Sequence, residues 1–150
     1  MNFIENKYLE KEELSALLSR QRKSRGTHSY AILLEFMALT GLRIGEAISL
    51  THENYLKADR ALSDTGTLNY QFEYKKGLKG PAKTLKSHRV VDLDDRCVEL
   101  LDEMITYNEE KALNDRYSNR GFIFTSRTGV LIQVNAFNFS LMRTAKKIEI

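Results

Sequence analysis

The chain has 150 residues, of which 42% are hydrophobic and 29% are charged, and its formal net charge at pH 7 is +3. This length is typical of a single domain, and such a chain buries about 68–70% of its unfolded surface. It has no apolar run of about 18 residues and no apolar signal near its start, so it predicts neither a membrane-spanning helix nor a secretory protein. The single Cys97 excludes an internal disulfide and favours the cytoplasm.

The first predicted helix covers residues 9–18, where leucines recur on one side and acids occupy the first turns. Acidic side chains near a helix N-terminus interact favourably with the helix dipole. Residues 20–26 follow, with four basic side chains in seven residues. Such a run is typical of a solvated helix end and loop, and alternatively it contacts the phosphates of a nucleic acid.

Residues 30–39 predict a buried helix, because Glu35 is the only charged residue in this segment. The pattern stops at Gly41, and glycine is a common residue at a helix C-cap. A second, short helix follows at once. Its apolar positions are Ile44, Ala47, Ile48 and Leu50. Arg43 therefore lies at the junction of two helices, and Glu46 lies on the same face of the second helix.

Two interpretations of Arg43 and Glu46 remain open from the residues themselves. The first is a surface ion pair that stabilises the helix by roughly 0.2–0.5 kcal/mol. The second follows from the apolar neighbours Leu42 and Ile44, which predict that the guanidinium is partly enclosed. A partly buried guanidinium is unfavourable unless it is paired, and its planar fork suits a carboxylate or a phosphate.

The segment 40–50 resembles the first signature box of the tyrosine recombinases, the phage and conjugative-transposon integrase family. That box reads Thr-Gly-x-Arg-x-x-Glu, with a leucine four positions later. The matching residues are Thr40, Gly41, Arg43, Glu46 and Leu50.

Alternating apolar and polar side chains predict a half-buried strand over residues 67–74. Residues 75–81 contain two glycines and the only proline, so they predict a turn. Further strands are predicted at 82–85 and 88–93, which would complete a small three-stranded antiparallel sheet. Residues 54–66 are polar and predict a loop with at most a short strand.

The hairpin segment 75–89 contains six basic residues and no acid. Lysines on an edge strand prevent pairing between sheets, which is one interpretation. The other is a basic hairpin that contacts DNA. The run is similar to the integrase hairpin Lys-Thr-x-x-Ser-x-Arg. The matching residues are Lys83, Thr84, Ser87, Arg89 and Leu93, whereas Asp92 stands where the family usually has proline.

The rest of the chain predicts two more helices. Residues 94–116 form a long one, with Asp94 or Asp95 at its start and a buried Cys97. Its apolar line is Val98, Leu101, Ile105 and Ala112, with Leu100 and Met104 beside it. Its acids disfavour DNA on that face. A short extended segment at 122–124, a turn at 126–129 and a final helix at 134–148 follow. The fold class is therefore α+β, mostly helical with a small antiparallel sheet, and it looks like part of an integrase catalytic domain.

The family's second box, His-x-x-Arg, and the tyrosine nucleophile that follows it have no match here. His28, His52 and His88 are each followed three residues later by a residue other than arginine. The resemblance therefore implies one partial catalytic domain over residues 1–150, truncated on its C-terminal side. We expect this chain alone to be inactive. The alternatives are a non-catalytic DNA-binding module from a truncated integrase gene, and an unrelated basic domain that binds RNA or protein.

The resemblance implies phosphoryl transfer in DNA through a 3′-phosphotyrosyl intermediate, with no metal or cofactor. Arg43 would stabilise charge on the scissile phosphate, Lys83 would protonate the leaving oxygen, and Glu46 would orient the Arg43 region. Lys86 is the alternative to Lys83. The expected DNA contacts are Lys79, Lys86 and Arg89. The expected partner is double-stranded DNA at attachment sites of a prophage or other mobile element, with self-association into a tetrameric synapse in the complete protein.

Overall fold

The computed structural model describes residues 10–63, 90–114, 116–118, 121–126 and 128–148. The helices in these ranges are α1 (Lys11–Arg22), α2 (His28–Thr40), α3 (Ile44–Ile48), α4 (Asp95–Lys111) and α5 (Val134–Lys147). The strands are β1 (Tyr55–Leu56), β2 (Ala61–Ser63) and β3 (Val90–Asp92). The described part is therefore mostly helical with a three-stranded antiparallel sheet, which confirms the predicted fold class.

Helix α2 lies at the centre of the core and packs against α1, α3 and α4. Its buried residues are Ala31, Ile32, Leu33 and Phe36. Ile32, Leu33 and Phe36 join one hydrophobic cluster with residues of α3, α4, α5 and the sheet. The predicted buried helix is confirmed, and its lone charged residue, Glu35, lies at the edge of this core with 18% of its side chain exposed.

Helix α1 ends later than the predicted 9–18, because it continues into the basic run as far as Arg22. At its start, the Glu10 main-chain N–H donates to Glu13 Oε1 at 3.0 Å. Leu17 is fully buried against the core. The helix thus carries part of the basic run on its last turn, where cationic side chains interact favourably with the helix dipole.

The sheet has the order β1-β2-β3, and both pairs are antiparallel. Leu62 pairs with Tyr55 on one side and with Val91 on the other. The predicted strand at 88–93 is found as β3. Residues 54–66, predicted to be mainly loop, instead contain β1 and β2, whose two and three residues are too few to display an alternating pattern. The predicted strands at 67–74 and 82–85 lie outside the described residues.

Helix α4 begins with Asp94 as its N-cap, and the Asp94 side chain accepts a hydrogen bond from the Cys97 N–H at 2.8 Å. Its buried residues are Cys97, Leu100, Leu101, Met104 and Asn108, so the buried face is centred on the residues beside the predicted line. Val98 and Ile105 are only partly buried, and Ala112 is exposed. Cys97 is a buried free thiol, as predicted, and burial raises its pKa to about 12.

The segment between α4 and α5 is joined to the residues after α3 by an isolated bridge from Phe122 to Thr51, and a second bridge, Thr125 to Leu131, pairs two parts of the segment with each other. Its turn closes where the Gly129 N–H donates to the Ser126 carbonyl at 3.1 Å, with Gly129 at a φ of 90°. Helix α5 then buries Phe137, Leu141, Thr144 and Ala145. None of the helices in the described ranges is long and apolar enough to cross a membrane.

Candidate functional site

Thr40 and Gly41 build the turn that delivers Arg43. The Thr40 hydroxyl donates to the Phe36 carbonyl at 2.8 Å and accepts from the Leu42 N–H at 3.3 Å. Gly41 has a φ of 74°, a left-handed conformation that glycine adopts without steric strain, and its N–H donates to the Met37 carbonyl. The chain therefore reverses direction within two residues, and Leu42 enters the core at 4% exposure.

Arg43 is the N-cap residue of α3, and Glu46 fixes its main chain. The Arg43 N–H donates to Glu46 Oε1 at 3.0 Å, which is one half of a capping-box arrangement. The Arg43 carbonyl accepts from the Ala47 N–H at 2.9 Å. The Thr-Gly-x-Arg-x-x-Glu spacing thus has a local cause, since Thr40 and Gly41 close the turn and Glu46 holds the main chain of the arginine.

The other end of α3 is tied to the segment before the last helix. The Leu50 carbonyl accepts from the Ile123 N–H at 3.0 Å, and the His52 N–H donates to the Gly121 carbonyl at 2.9 Å. Leu50 itself is fully buried. Helix α3 is therefore held by α2 on one side and by 121–123 on the other, so the Arg43 main chain sits on a rigid support.

The exposure of Arg43 corrects one expectation. Its side chain is exposed, whereas the flanking Leu42 and Ile44 predicted a partly enclosed guanidinium. The reason lies in the turn, because Gly41 and the extended backbone of Arg43 send Leu42 inward and Arg43 outward. Among the described residues, the Arg43 guanidinium forms no ion pair. It is thus directed to solvent, where a large anion can reach it.

The predicted basic site residues Lys79, Lys83, Lys86 and Arg89 lie outside the described residues. The structure does describe the strand that follows them, β3, which pairs with β2 and stands last in the order β1-β2-β3 of the described strands. Leu93 comes next, is 6% exposed, and donates its N–H to the Arg60 carbonyl at 2.8 Å. The last match of the hairpin motif is therefore a core residue that anchors the end of the basic segment.

The sequence did not predict an ion-pair cluster between α1, α2 and α4. Arg22 donates to both carboxylate oxygens of Glu103, at 2.9 and 3.3 Å, and His28 Nε2 lies 3.0 Å from Glu103 Oε2. Burial opposes ionisation of Glu103, but Arg22 and His28 together hold its pKa below the usual value. The Arg22 guanidinium is therefore paired with a carboxylate of this chain. Both interpretations of the basic run, a solvated loop and a phosphate contact, are wrong at this residue.

Glu35 belongs to the same cluster. The Arg96 guanidinium on α4 donates to both of its oxygens, and Arg22 lies 3.5 Å from Glu35 Oε1. Hydrogen bonds from Arg96 are the main cause that lowers the pKa of Glu35. One feature of the sequence indicates such a cluster: Glu35 is the only charged residue in an apolar helical segment. A buried carboxylate requires a cationic partner.

The comparison with protein families decides which family this fold represents. The model of the phage integrase family matches residues 7–150. The chain belongs to the phage integrase family. It is also 44% identical over 147 residues to the prophage ps2 probable integrase of Lactococcus lactis subsp. lactis (strain IL1403). That match covers 97% of this chain and 38% of the relative, so the chain spans well under half the length of this integrase.

Two solved structures have a similar fold. The integrase of the Tn1549 transposon, in complex with a circular intermediate DNA, superposes with a TM-score of 0.75 at 15% identity, over 97% of this chain and 46% of that one. The XerA recombinase superposes with a TM-score of 0.63 at 17% identity, over 95% of this chain and 42% of that one. These superpositions show that the chain has the fold of the two recombinases. The family is shown by the match of the sequence to the family model.

Proposed function

We propose that this chain is part of the catalytic domain of a DNA site-specific recombinase, and that Arg43 acts directly on the scissile phosphate. The observation that carries the proposal is the contrast at Arg43 between a fixed main chain and an exposed side chain. A preorganised guanidinium needs little reorganisation when charge develops on a phosphate, and it matches the phosphate oxygens in a bidentate manner.

The proposed reaction breaks one phosphodiester bond and later reforms one. A tyrosine hydroxyl attacks the phosphorus, the 3′-phosphotyrosyl bond forms, and the 5′-oxygen leaves as a hydroxyl after it receives a proton. Arg43 neutralises charge on the non-bridging oxygens. Lys83 donates the proton, because an ammonium beside a phosphate is a suitable general acid. Glu46 acts as a positioning residue through the Arg43 main chain.

Double-stranded DNA at attachment sites is the proposed partner, in the cytoplasm of a host that carries the mobile element. Lys79, Lys86 and Arg89 are proposed to contact the DNA backbone, because a cluster of lysine and arginine side chains displaces counterions from duplex DNA. In the complete protein we propose a tetrameric synapse. The structure of the Tn1549 integrase, which is a complex with DNA, supports DNA as the partner class.

We further propose that the 150 residues alone do not cleave DNA, since none of the seven tyrosines follows a His-x-x-Arg box. The test is a nicked suicide duplex that traps a covalent protein–DNA adduct. An integrase that contains this chain together with the second box and its tyrosine should form the adduct, and this chain alone should bind the duplex without forming it. An adduct with this chain alone would overturn the proposed inactivity. Absence of adduct with the complete integrase would favour the non-catalytic DNA-binding module.

A further inference from the structure

A cleft of about 590 Å³ lies between the α1–α2 connection, the C-terminal end of α4 and the turn at 126–129. Its lining includes Arg25, Tyr107, Glu110, Lys111, Arg116 and Thr128. No residue of the 40–50 box is among the described residues that line it, so the cleft is separate from Arg43. Three of these side chains are cationic and one is anionic, and a concave surface with an excess of one charge concentrates counter-ions.

Lys111 places an ammonium group at the wall of the cleft, and burial lowers its pKa to about 8, so the group is mainly protonated at pH 7. Its Nζ donates to three oxygens, the Thr125 carbonyl, the Thr125 hydroxyl and the Ser126 carbonyl, each at 3.1 Å. It also lies 4.8 Å from the centre of the Tyr107 ring. All three of its N–H donors are therefore used within the protein. Lys111 contributes its electrostatic field to the cleft, and other groups must supply hydrogen bonds to a ligand.

Arg25 and Arg116 are the groups that can supply these hydrogen bonds. Both side chains are exposed, and within the described ranges neither guanidinium forms an ion pair. Arg22, three residues earlier, is different because Glu103 binds it at 2.9 Å. The Arg25 main chain is placed against the cleft by a hydrogen bond of 3.4 Å from the Tyr107 hydroxyl to its carbonyl. Two planar guanidinium forks thus border a fixed ammonium.

We propose that this cleft binds a phosphate group, with Arg25 and Arg116 as hydrogen-bond donors and Lys111 as an electrostatic support. A phosphate presents several strong acceptor oxygens and negative charge, which matches two forks and one fixed cation. The group comes either from the DNA backbone, at a distance from the bond that is cleaved, or from a small phosphorylated molecule. The first source rests on the proposed DNA function, and the second does not.

Inorganic pyrophosphate is the first probe, titrated into this chain while amide signals are followed by NMR. The amides of Gly26 and Thr128, which line the cleft, should shift. Arg25→Ala and Arg116→Ala should each weaken binding about tenfold, the typical effect of losing a hydrogen bond to a charged group. Arg20→Ala is the matched control, since Arg20 is exposed, lies on α1 and does not line the cleft. Equal effects of Arg20→Ala and Arg25→Ala, or no shift at Gly26 and Thr128, would overturn the proposal.

A duplex DNA titration at several salt concentrations then identifies the source of the phosphate. If the DNA backbone occupies the cleft, Arg25→Ala should reduce the salt slope of DNA binding by about one, and Arg20→Ala should not. If pyrophosphate binding is lost in Arg25→Ala but the DNA slope is unchanged, the ligand is a small phosphorylated molecule. DNA binding by the wild type without any pyrophosphate response at the cleft would refute the cleft proposal and leave the proposed recombinase function intact.

Discussion

The Glu46 carboxylate accepts a hydrogen bond from the main-chain N–H of Arg43 at 3.0 Å. The glutamate of the signature box therefore acts on the backbone from which the arginine side chain projects. A bond to the backbone fixes the position of Cβ and leaves the guanidinium available to a ligand. This relationship gives a physical reason for the three-residue spacing, because the third helical residue is the one whose side chain reaches the N-cap N–H.

Substitution of Glu46 tests this role. Glu46→Ala should lower the free energy of unfolding by about 0.5–1.5 kcal/mol, the usual contribution of one hydrogen bond, and should lower DNA cleavage by the complete integrase. Glu46→Gln should retain most of both, because glutamine at this helix position also accepts from the N-cap N–H. Chemical denaturation and adduct formation measure the two effects. Equal loss of cleavage in both variants would show that the charge of Glu46, and not its capping bond, is required.

The Arg96–Glu35 contact predicts how stability depends on pH. The pKa of Glu35 is lowered, mainly by hydrogen bonds from Arg96, so its stabilising contribution is present above the ordinary glutamate pKa and is lost as the pH falls through the lowered value. The wild type should therefore lose stability on acidification below about pH 4.5. Glu35→Gln should be less stable than the wild type at pH 7, and the difference should shrink as the pH falls.

Glu99 provides the control for this experiment. It also binds Arg96, at 3.1 Å, but 65% of its side chain is exposed, so solvent screens the interaction. Glu99→Gln should follow the wild-type pH profile of unfolding. If Glu35→Gln and the wild type have parallel profiles between pH 7 and about pH 3, the Arg96 contact does not stabilise the ionised form of Glu35.

Substitutions of two phenylalanines on α5 should have very different effects on stability. Phe137 is 2% exposed, and its ring meets that of Tyr30 edge-on with centroids 5.8 Å apart. Phe139 is 62% exposed. Phe137→Ala should destabilise the fold by about 3–5 kcal/mol, as expected for a large cavity, whereas Phe139→Ala should change stability by about 0.5 kcal/mol or less. Urea denaturation of the two variants measures both changes. Similar losses would contradict the burial of Phe137 and the exposure of Phe139.

The local features of the fold could be predicted from the sequence. The apolar run with a single Glu35, the glycine at Gly41 and the acid at Asp94 are short-range signals, and α2, its C-cap and the start of α4 follow them. The final helix at 134–148 was predicted within one residue of its observed end at Lys147. In each of these cases, helix periodicity and one capping residue contain enough information.

The features that depend on distant residues could not be predicted. Strands β1 and β2 are too short to show a pattern and exist because β3, far along the chain, completes their sheet. The nearest partners of Arg22 and Glu35, which are Glu103 and Arg96, lie on α4, so the sequence around Arg22 alone predicted a solvated run. The exposure of Arg43 depends on the turn geometry at Gly41 and not on the polarity of its neighbours. The errors on the strands and on Arg22 have the same cause, a tertiary contact that local sequence does not encode, whereas the error on Arg43 comes from the local turn.

The roles of Lys83 and Lys86 can be separated by the chemistry of the leaving group. If Lys83 protonates the 5′-oxygen, a substrate with sulfur at that bridging position should restore cleavage to Lys83→Ala, because a thiolate leaves without a proton. Lys86→Ala should instead weaken DNA binding and reduce its salt slope by about one. The rate of cleavage of both substrates by both variants provides the measurement. Rescue of Lys86→Ala and not of Lys83→Ala would reverse the assignment.

The role of Arg43 in cleavage is tested most directly by the cleavage rate of an integrase that contains this chain with the Arg43→Ala substitution. The variant should cleave a suicide duplex about 10²–10³-fold more slowly, the typical loss on removal of one preorganised charge-stabilising donor. Its free energy of unfolding should change by about 0.5 kcal/mol or less, because the Arg43 side chain is exposed and its capping contacts use the main chain. Arg20→Ala is the control and should cleave at the wild-type rate. A loss below about tenfold in Arg43→Ala, in a protein that remains folded and binds DNA, would contradict the assignment of Arg43 to the cleavage site.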